Sequence, residues 1–333
     1  MSAPASLLAV DNLAVAFPGH VAVRGVSFAI APGETLALVG ESGCGKSVTA
    51  FSVMRLLPPN ARVVSGRILL EGRDLMTASP AEMREVRGKQ VSLIQQEPMT
   101  SLNPVLSIGT QIAEVIRRHE RVSRRAARAR GIELLDLVSI PDAHRRIDDY
   151  PHNLSGGMRQ RVMIAMAVAC GPRLLIADEP TTALDVTTQA QVLDLLDDLR
   201  RRLSMAVLLI THDLGVVAQW ADRICVMYAG RVVEQAAIRP FFARPMHPYS
   251  RGLLGARVDV DADEHYTAGR LSEIPGSVGS ATGEAGCSFA PRCPNVESGC
   301  RAAPPPLLPF EAGRDVACPV SLAAMPLEGA GRG

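Results

Sequence analysis

The chain has 333 residues, with 35 Lys and Arg against 34 Asp and Glu, and its formal charge of +1 supplies no bulk attraction to nucleic acid or acidic lipid. Its 47% hydrophobic and 21% charged content is that of an ordinary globular protein and excludes a disordered chain, and the length suits one large domain with an appendage. No transmembrane helix is expected. The longest apolar run, residues 162–170, is about half of the ~20 residues a bilayer demands, and it stops at Gly171-Pro172. No secretory signal is expected either, since no basic segment precedes the first apolar stretch and Asp11 interrupts it.

Residues 7–30 alternate in short runs broken by Pro18, Gly19 and Gly25, which predicts antiparallel strands. Residues 34–39 form a compact apolar strand feeding a glycine-rich turn, and residues 67–71 form a short strand between Gly66 and Gly72. Residues 90–95, 173–178 and 205–211 are further apolar strands with polar C-terminal ends, separated by helical patterns. The core is therefore expected to be α/β with a mostly parallel sheet. From residue 98 to about 158 the strand signal gives way to a helical insert containing a long arginine-rich helix. Its arginines, residues 117–130, read as a solvated face, because no aromatic residues are interleaved for base stacking. Residues 223–235 form a hairpin turning at Ala229-Gly230. Beyond residue 244 the Pro, Gly and Cys content rises, which predicts an irregular extension.

Residues 40–47, Gly40-Glu41-Ser42-Gly43-Cys44-Gly45-Lys46-Ser47, match G-x-x-x-x-G-K-[ST] (the Walker A pattern) between a strand and a helix. The glycines let the backbone N–H groups face phosphates, Lys46 is placed for the β- and γ-phosphates of ATP, and the Ser47 hydroxyl for Mg²⁺. The apolar strand 174–177 ends in Asp178-Glu179. Asp178 suits Mg²⁺ through water, and Glu179 suits the general base that polarises the attacking water. Ser155-Gly156-Gly157 opens a helix and offers a second anion site, which one subunit with one nucleotide does not need. It suits a nucleotide held by a second subunit.

With these motifs in this order, residues 7–255 resemble the ABC ATPases, which implies a P-loop NTPase (RecA-like) core with an antiparallel β subdomain, a helical insert and, here, an irregular C-terminal extension. By that resemblance Gln96 is the Q-loop glutamine that senses Mg²⁺, Asp185 the D-loop aspartate at a dimer interface, and His212 the switch histidine contacting the γ-phosphate. Phe17 lies where the family stacks an aromatic on adenine. Residues 96–104, Tyr150-Pro151-His152, the Met158 form of the signature and His247-Pro248-Tyr249 resemble the D-type subunit of dipeptide and oligopeptide (peptide/nickel) importers. The extension of that group covers residues 240–320. The resemblance implies an ATPase that powers peptide import from the cytoplasmic face of a bacterial inner membrane. Its partners would be a homologous F-type ATPase, two permease subunits and, indirectly, an extracytoplasmic binding protein, with no nucleic acid. Nickel or glutathione import, and a soluble non-transport ABC ATPase, stay open.

Cys287, Cys293, Cys300 and Cys318 crowd the extension and offer four thiolates, enough for one [4Fe–4S] cluster or an all-cysteine zinc site, with unmetallated thiols a further alternative. They lack the tight C-x2-4-C pairs usual for zinc, and some relatives of the resembled group hold an iron–sulphur cluster in this extension.

Overall fold

A computed structural model describes residues 6–95, 101–182, 184–256, 274–277 and 284–323. In chain order its strands are β1 (Leu8–Phe17), β2 (His20–Ile30), β3 (Thr35–Val39), β4 (Arg62–Leu70), β5 (Arg73–Asp74), β6 (Val91–Ile94), β7 (Leu174–Asp178), β8 (Ala206–Ile210), β9 (Arg223–Tyr228), β10 (Arg231–Ala237), β11 (Leu308–Glu311) and β12 (Arg314–Val316). The helices that matter for the site are α1 (Lys46–Val53), α2 (Ile108–His119), α3 (Arg124–Leu137), α4 (Gly156–Val168), α5 (Val186–Leu203), α6 (Leu214–Trp220) and α7 (Pro248–Gly255).

The larger sheet has the order β11-β12-β10-β9-β3-β8-β7-β6; β9, β3, β8, β7 and β6 run parallel to one another, and β10 joins β9 antiparallel. Every residue of β3, β7 and β8 is buried, which is why these segments are continuous apolar runs and not alternating ones. Side chains alternate across the sheet. Leu36 and Leu38 face the antiparallel sheet β2-β1-β4-β5, whereas Ala37 and Val39 pack with Leu214, Val217 and Tyr249 on the opposite face. Leu175 and Ala177 pack under α2, α4 and α5 through Ile112, Val162 and Leu196. Each such fully buried aliphatic side chain contributes roughly 1.5–3 kcal/mol. All the loops that leave the C-terminal ends of β3, β7 and β8 therefore share one edge of a rigid sheet, where open α/β sheets hold ligands.

Three local expectations differ from the structure. Strand β4 starts at Arg62, ahead of Gly66, and passes through it: Gly66 takes φ +101°, and a Cβ there would lie 2.5 Å from Leu13 Cα, so the glycine permits a close strand crossing. The arginine-rich segment is two helices, because the Ser123 hydroxyl accepts the Ala126 N–H and starts α3 anew. The extension is less irregular than its composition suggests. Strand β12 pairs with β10, and β11 with β12, so the C-terminal segment enlarges the main sheet. A buried ion pair fixes this union, with Arg314 Nη2 2.7 Å from Glu234 Oε1. Glu234 also accepts from the backbone N–H groups of Met246 and His247.

Candidate active site

The phosphate loop follows β3, and its glycines are required by conformation. Gly40, Gly43 and Gly45 have φ of +152°, +78° and +103°. A Cβ on Gly40 would meet the Met227 carbonyl at 2.2 Å, and one on Gly45 the Ala22 carbonyl at 2.8 Å. The loop is thus pressed against β9 and β2, and only glycine fits. Lys46 opens α1 and is buried, with Nζ donating to the carbonyls of Gly40 (2.7 Å) and Glu41 (3.1 Å). The Cys44 thiol lies 3.8 Å from the same ammonium, and burial holds it protonated.

Asp178 ends β7 with its carboxylate nearly sealed from solvent (3% exposed) and its Oδ1 without a protein hydrogen-bond partner. Burial raises its pKa, and the Ser47 hydroxyl, in hydrogen-bonding contact, partly opposes that rise. An orphaned buried carboxylate oxygen beside a hydroxyl is a donor set that fits a hard divalent cation such as Mg²⁺.

Glu179 adopts φ +48°, a left-handed conformation uncommon for a residue with a side chain, while its N–H donates to the Ile210 carbonyl of β8. This turn aims the carboxylate at the neighbouring loop. Its Oε1 lies 3.2 Å from His212 Nδ1, and its Oε2 accepts from the Thr182 hydroxyl at 3.0 Å. The imidazole of His212 is 69% exposed, so one end of the pair is seated and the other faces solvent.

The helix that Ser155-Gly156-Gly157 is expected to open is present. Ser155 N-caps α4, accepting the Met158 N–H, and Gly156 and Gly157 leave the helix start bare. Gly157 lies so close to α5 that a Cβ would sit 2.8 Å from Thr188 Cγ2. Asp185 caps α5 through the N–H and hydroxyl of Thr188, and these bonds lower its pKa. Within the chain it therefore shapes a helix start beside the Ser155 segment. Phe17, half-buried, stacks on His20 with centroids 5.3 Å apart and an interplanar angle of 8°. Gln96 lies outside the described residues.

Sequence reasoning passed over Thr182 and Arg292, and read Tyr249 only within the His247-Pro248-Tyr249 marker of the extension. Arg292 places Nη1 3.0 Å from both carboxylate oxygens of Glu41, and the Tyr249 hydroxyl accepts the Glu41 N–H at 2.9 Å. The sequence separations of 251 and 208 residues explain why no local pattern announces these contacts.

Cys287, Cys293, Cys300 and Cys318, all free, line one narrow cavity together with His247 and Phe289. Among the described residues, no three His, Cys, Asp or Glu side chains come close enough to hold a single metal ion. This arrangement shows neither the zinc nor the iron–sulphur alternative.

Residues 23–182 match the family model described as ABC transporter, and residues 233–300 match the oligopeptide/dipeptide transporter C-terminal region. The chain is 52% identical over 318 residues to the probable peptide ABC transporter ATP-binding protein y4tR of Sinorhizobium fredii, spanning 94% of each. The chain belongs to this family of ABC transporter ATP-binding proteins. It is likewise 52% identical to the dipeptide transport ATP-binding protein DppD of Bacillus subtilis, over 87% of each chain. Its identity to the oligopeptide transport ATP-binding protein AppD of that species is 49%, over 94% of this chain and 96% of that one. Among solved structures, cbiO1 from Clostridium perfringens, part of the transporter complex cbiONQ, superposes with a TM-score of 0.64 at 27% identity, covering 72% of this chain and 91% of that one. A dimeric ATP-binding cassette, MJ0796, in a post-hydrolysis state bound to ADP and Pi gives 0.62 at 26% identity, covering 70% and 99%. The fold is accordingly the P-loop NTPase core with its antiparallel and helical subdomains, and this ABC protein is an ATPase. No helix among the described residues is long and apolar enough to cross a membrane, and ATP-binding subunits of this family are peripheral to the membrane.

Proposed function

We propose that this chain powers the import of dipeptides or oligopeptides as the D-type ATPase subunit of a membrane transporter. The observation that carries the catalytic part is the meeting of Lys46, Asp178 and the Glu179–His212 pair at one edge of the sheet. Lys46 holds the β- and γ-phosphates, while Ser47 and Asp178 would hold Mg²⁺, whose charge would offset that of the phosphates. Glu179 takes a proton from the attacking water. Thr182 and His212 fix the carboxylate on its two oxygens, and by the family resemblance His212 meets the γ-phosphate. By the family resemblance Gln96 would also serve Mg²⁺. Phe17 offers the adenine a ring face.

Ser155, Gly156 and Gly157 cover the nucleotide of a second ATPase, with Asp185 at the interface between the two. That second subunit is a homologous F-type chain, and two separate permease subunits dock beside the Q-loop at the cytoplasmic face of the inner membrane. A binding protein on the outer side delivers the cargo. The match of residues 233–300 to the peptide-transporter C-terminal region, and the names of the relatives, support peptide over nickel or glutathione.

The test is reconstitution with the candidate partner ATPase, permeases and binding protein in vesicles. ATP hydrolysis stimulated by a dipeptide or oligopeptide, with peptide accumulation, is the expected result. Stimulation by nickel or glutathione instead would refute the peptide assignment and leave the ATPase intact.

The four cysteines, by the same reading, hold a [4Fe–4S] cluster of structural role. Their convergence on one cavity supports this. Burial keeps the thiols of Cys287 and Cys293 protonated, so loading such a group would release protons. Anaerobic purification should give about four irons and matching sulphide per chain; an iron-free chain carrying native ATPase activity would remove the cluster.

A further inference from the structure

The phosphate-loop motif leaves its second position open, yet Glu41 is held at its carboxylate, its N–H and its carbonyl. Its carboxylate takes Arg292 Nη1 at 3.0 Å on each oxygen, its N–H goes to the Tyr249 hydroxyl, and its carbonyl accepts from Lys46 Nζ at 3.1 Å. Two of these three holds come from the C-terminal extension. Arg292 has only 4% of its side chain exposed, and its remaining donors are also engaged. Its Nε donates to the Pro275 carbonyl and Nη2 to the Ile274 carbonyl, with the guanidinium 5.7 Å from the centre of the Tyr228 ring. A fork fixed at every nitrogen presents a fixed charge to Glu41.

Both holds lead back to the cysteine cavity within one side chain. Arg292 immediately precedes Cys293, which lines that cavity. Tyr249 packs on Phe289 at 5.4 Å between centroids, and Phe289 lines it too. The same Tyr249 lies 4.7 Å from Tyr228, the last residue of β9, whose neighbour Met227 backs Gly40.

From this geometry we infer that Arg292 and Tyr249 are positioning residues for ATP, fixing the phosphate loop through Glu41 and so making nucleotide affinity depend on the docking of the cysteine-bearing extension. A loop rich in glycine loses much backbone entropy when ordered on a ligand, and a loop already ordered binds more tightly. Because the Glu41 carbonyl anchors the Lys46 ammonium, releasing Glu41 moves the charge that meets the phosphates. The effect falls on binding and not on the chemical step, since Arg292 and Tyr249 reach the phosphate loop through Glu41. By reciprocity, bound ATP must in turn strengthen the docking of the extension.

This inference rests on residues 40–47 being the ATP site. The experiment measures KM for ATP and kcat in the assembled transporter for Arg292→Gln, Arg292→Lys, Glu41→Gln and the Arg292→Gln/Glu41→Gln double variant, with Lys46→Ala as control. Arg292→Gln is expected to raise KM about tenfold, the order a buried charge-assisted pair supports, with kcat at saturating ATP unchanged. Arg292→Lys keeps the charge without the fork and should recover part of the loss. The double variant should be no worse than the worse single one, because both cut the same link. An unchanged KM in Arg292→Gln, a fall in kcat alone, or additive losses in the double variant would each overturn the inference while Lys46→Ala abolishes ATP binding. ATP binding retained by Lys46→Ala would instead show that the phosphate site itself is misplaced.

Discussion

His212 Nδ1 stands 3.2 Å from Glu179 Oε1, across a gap between two loops that leave adjacent parallel strands, β8 and β7. The other carboxylate oxygen is taken by Thr182, and the backbone of Glu179 is held in a left-handed turn. A base fixed at both oxygens contributes through the proton it accepts, so removing its charge should spare binding and cost rate. Glu179→Gln is expected to bind ATP normally and hydrolyse it about 10²–10⁴-fold more slowly. Single-turnover hydrolysis with the partner subunits checks this, and near-normal turnover would assign the base elsewhere.

Asp178 exemplifies a site residue that is a liability to the empty fold. Burial raises its pKa, so between the ordinary aspartate value of 3.8 and that raised value the native state binds more protons than the unfolded chain. Stability without metal therefore falls as pH rises through this window. Asp178→Asn removes the buried charge and should stabilise the nucleotide-free protein by about 0.5–2 kcal/mol in urea unfolding, while abolishing Mg²⁺-dependent hydrolysis. Loss of activity together with loss of stability would mean that the carboxylate is held by partners rather than exposed to a cation.

How far the chain could be read follows the range of the interactions involved. The phosphate loop, Asp178-Glu179 and Ser155-Gly156-Gly157 were legible because each depends on a few consecutive residues beside a strand or helix end. The hairpin at Ala229-Gly230 was legible for the same reason, with φ of +45° and +82° at the two turn residues. The break at Ser123 was missed because an N-cap inside a run of arginines does not interrupt the composition. Strands β11 and β12 were hidden by Pro, Gly and Cys. Their place in the sheet depends on Arg314 finding Glu234, 80 positions away. Arg292, and the role of Tyr249 beyond its place in the His247-Pro248-Tyr249 marker, were invisible on the same ground, since what gives them meaning is Glu41 at the opposite end of the chain.

The glycines of the phosphate loop are not equivalent, and alanine should separate them. Gly40→Ala would force a Cβ to 2.2 Å from the Met227 backbone carbonyl, which has no room to give, at a φ of +152°. Gly43 has φ +78° but nothing within 4 Å of a built Cβ, so its alanine variant bears conformational strain alone, about 1–2 kcal/mol. Gly40→Ala is therefore expected to lose clearly more stability than Gly43→Ala and to lose ATP binding with it. Thermal unfolding and nucleotide titration of the two variants test the order, and equal losses would mean that β9 yields to the loop.

His247 predicts an acid sensitivity of the extension. It is fully buried, its Nδ1 accepts the Tyr249 N–H at the start of α7, and it lines the cysteine cavity. Burial, with the nearby Arg251 charge, pushes its pKa down from 6.5 to about 3. The unfolded chain thus takes up a proton at pH values where the native state refuses one. Stability from this group is complete above 6.5 and declines as pH falls toward about 3, at no more than about 1.4 kcal/mol per pH unit. His247→Asn keeps an acceptor for the cap and has nothing to titrate. Its urea midpoint should fall less steeply than that of the parent between pH 6.5 and 4, a span inside that window. Parallel curves for the two proteins would place the acid sensitivity in other groups.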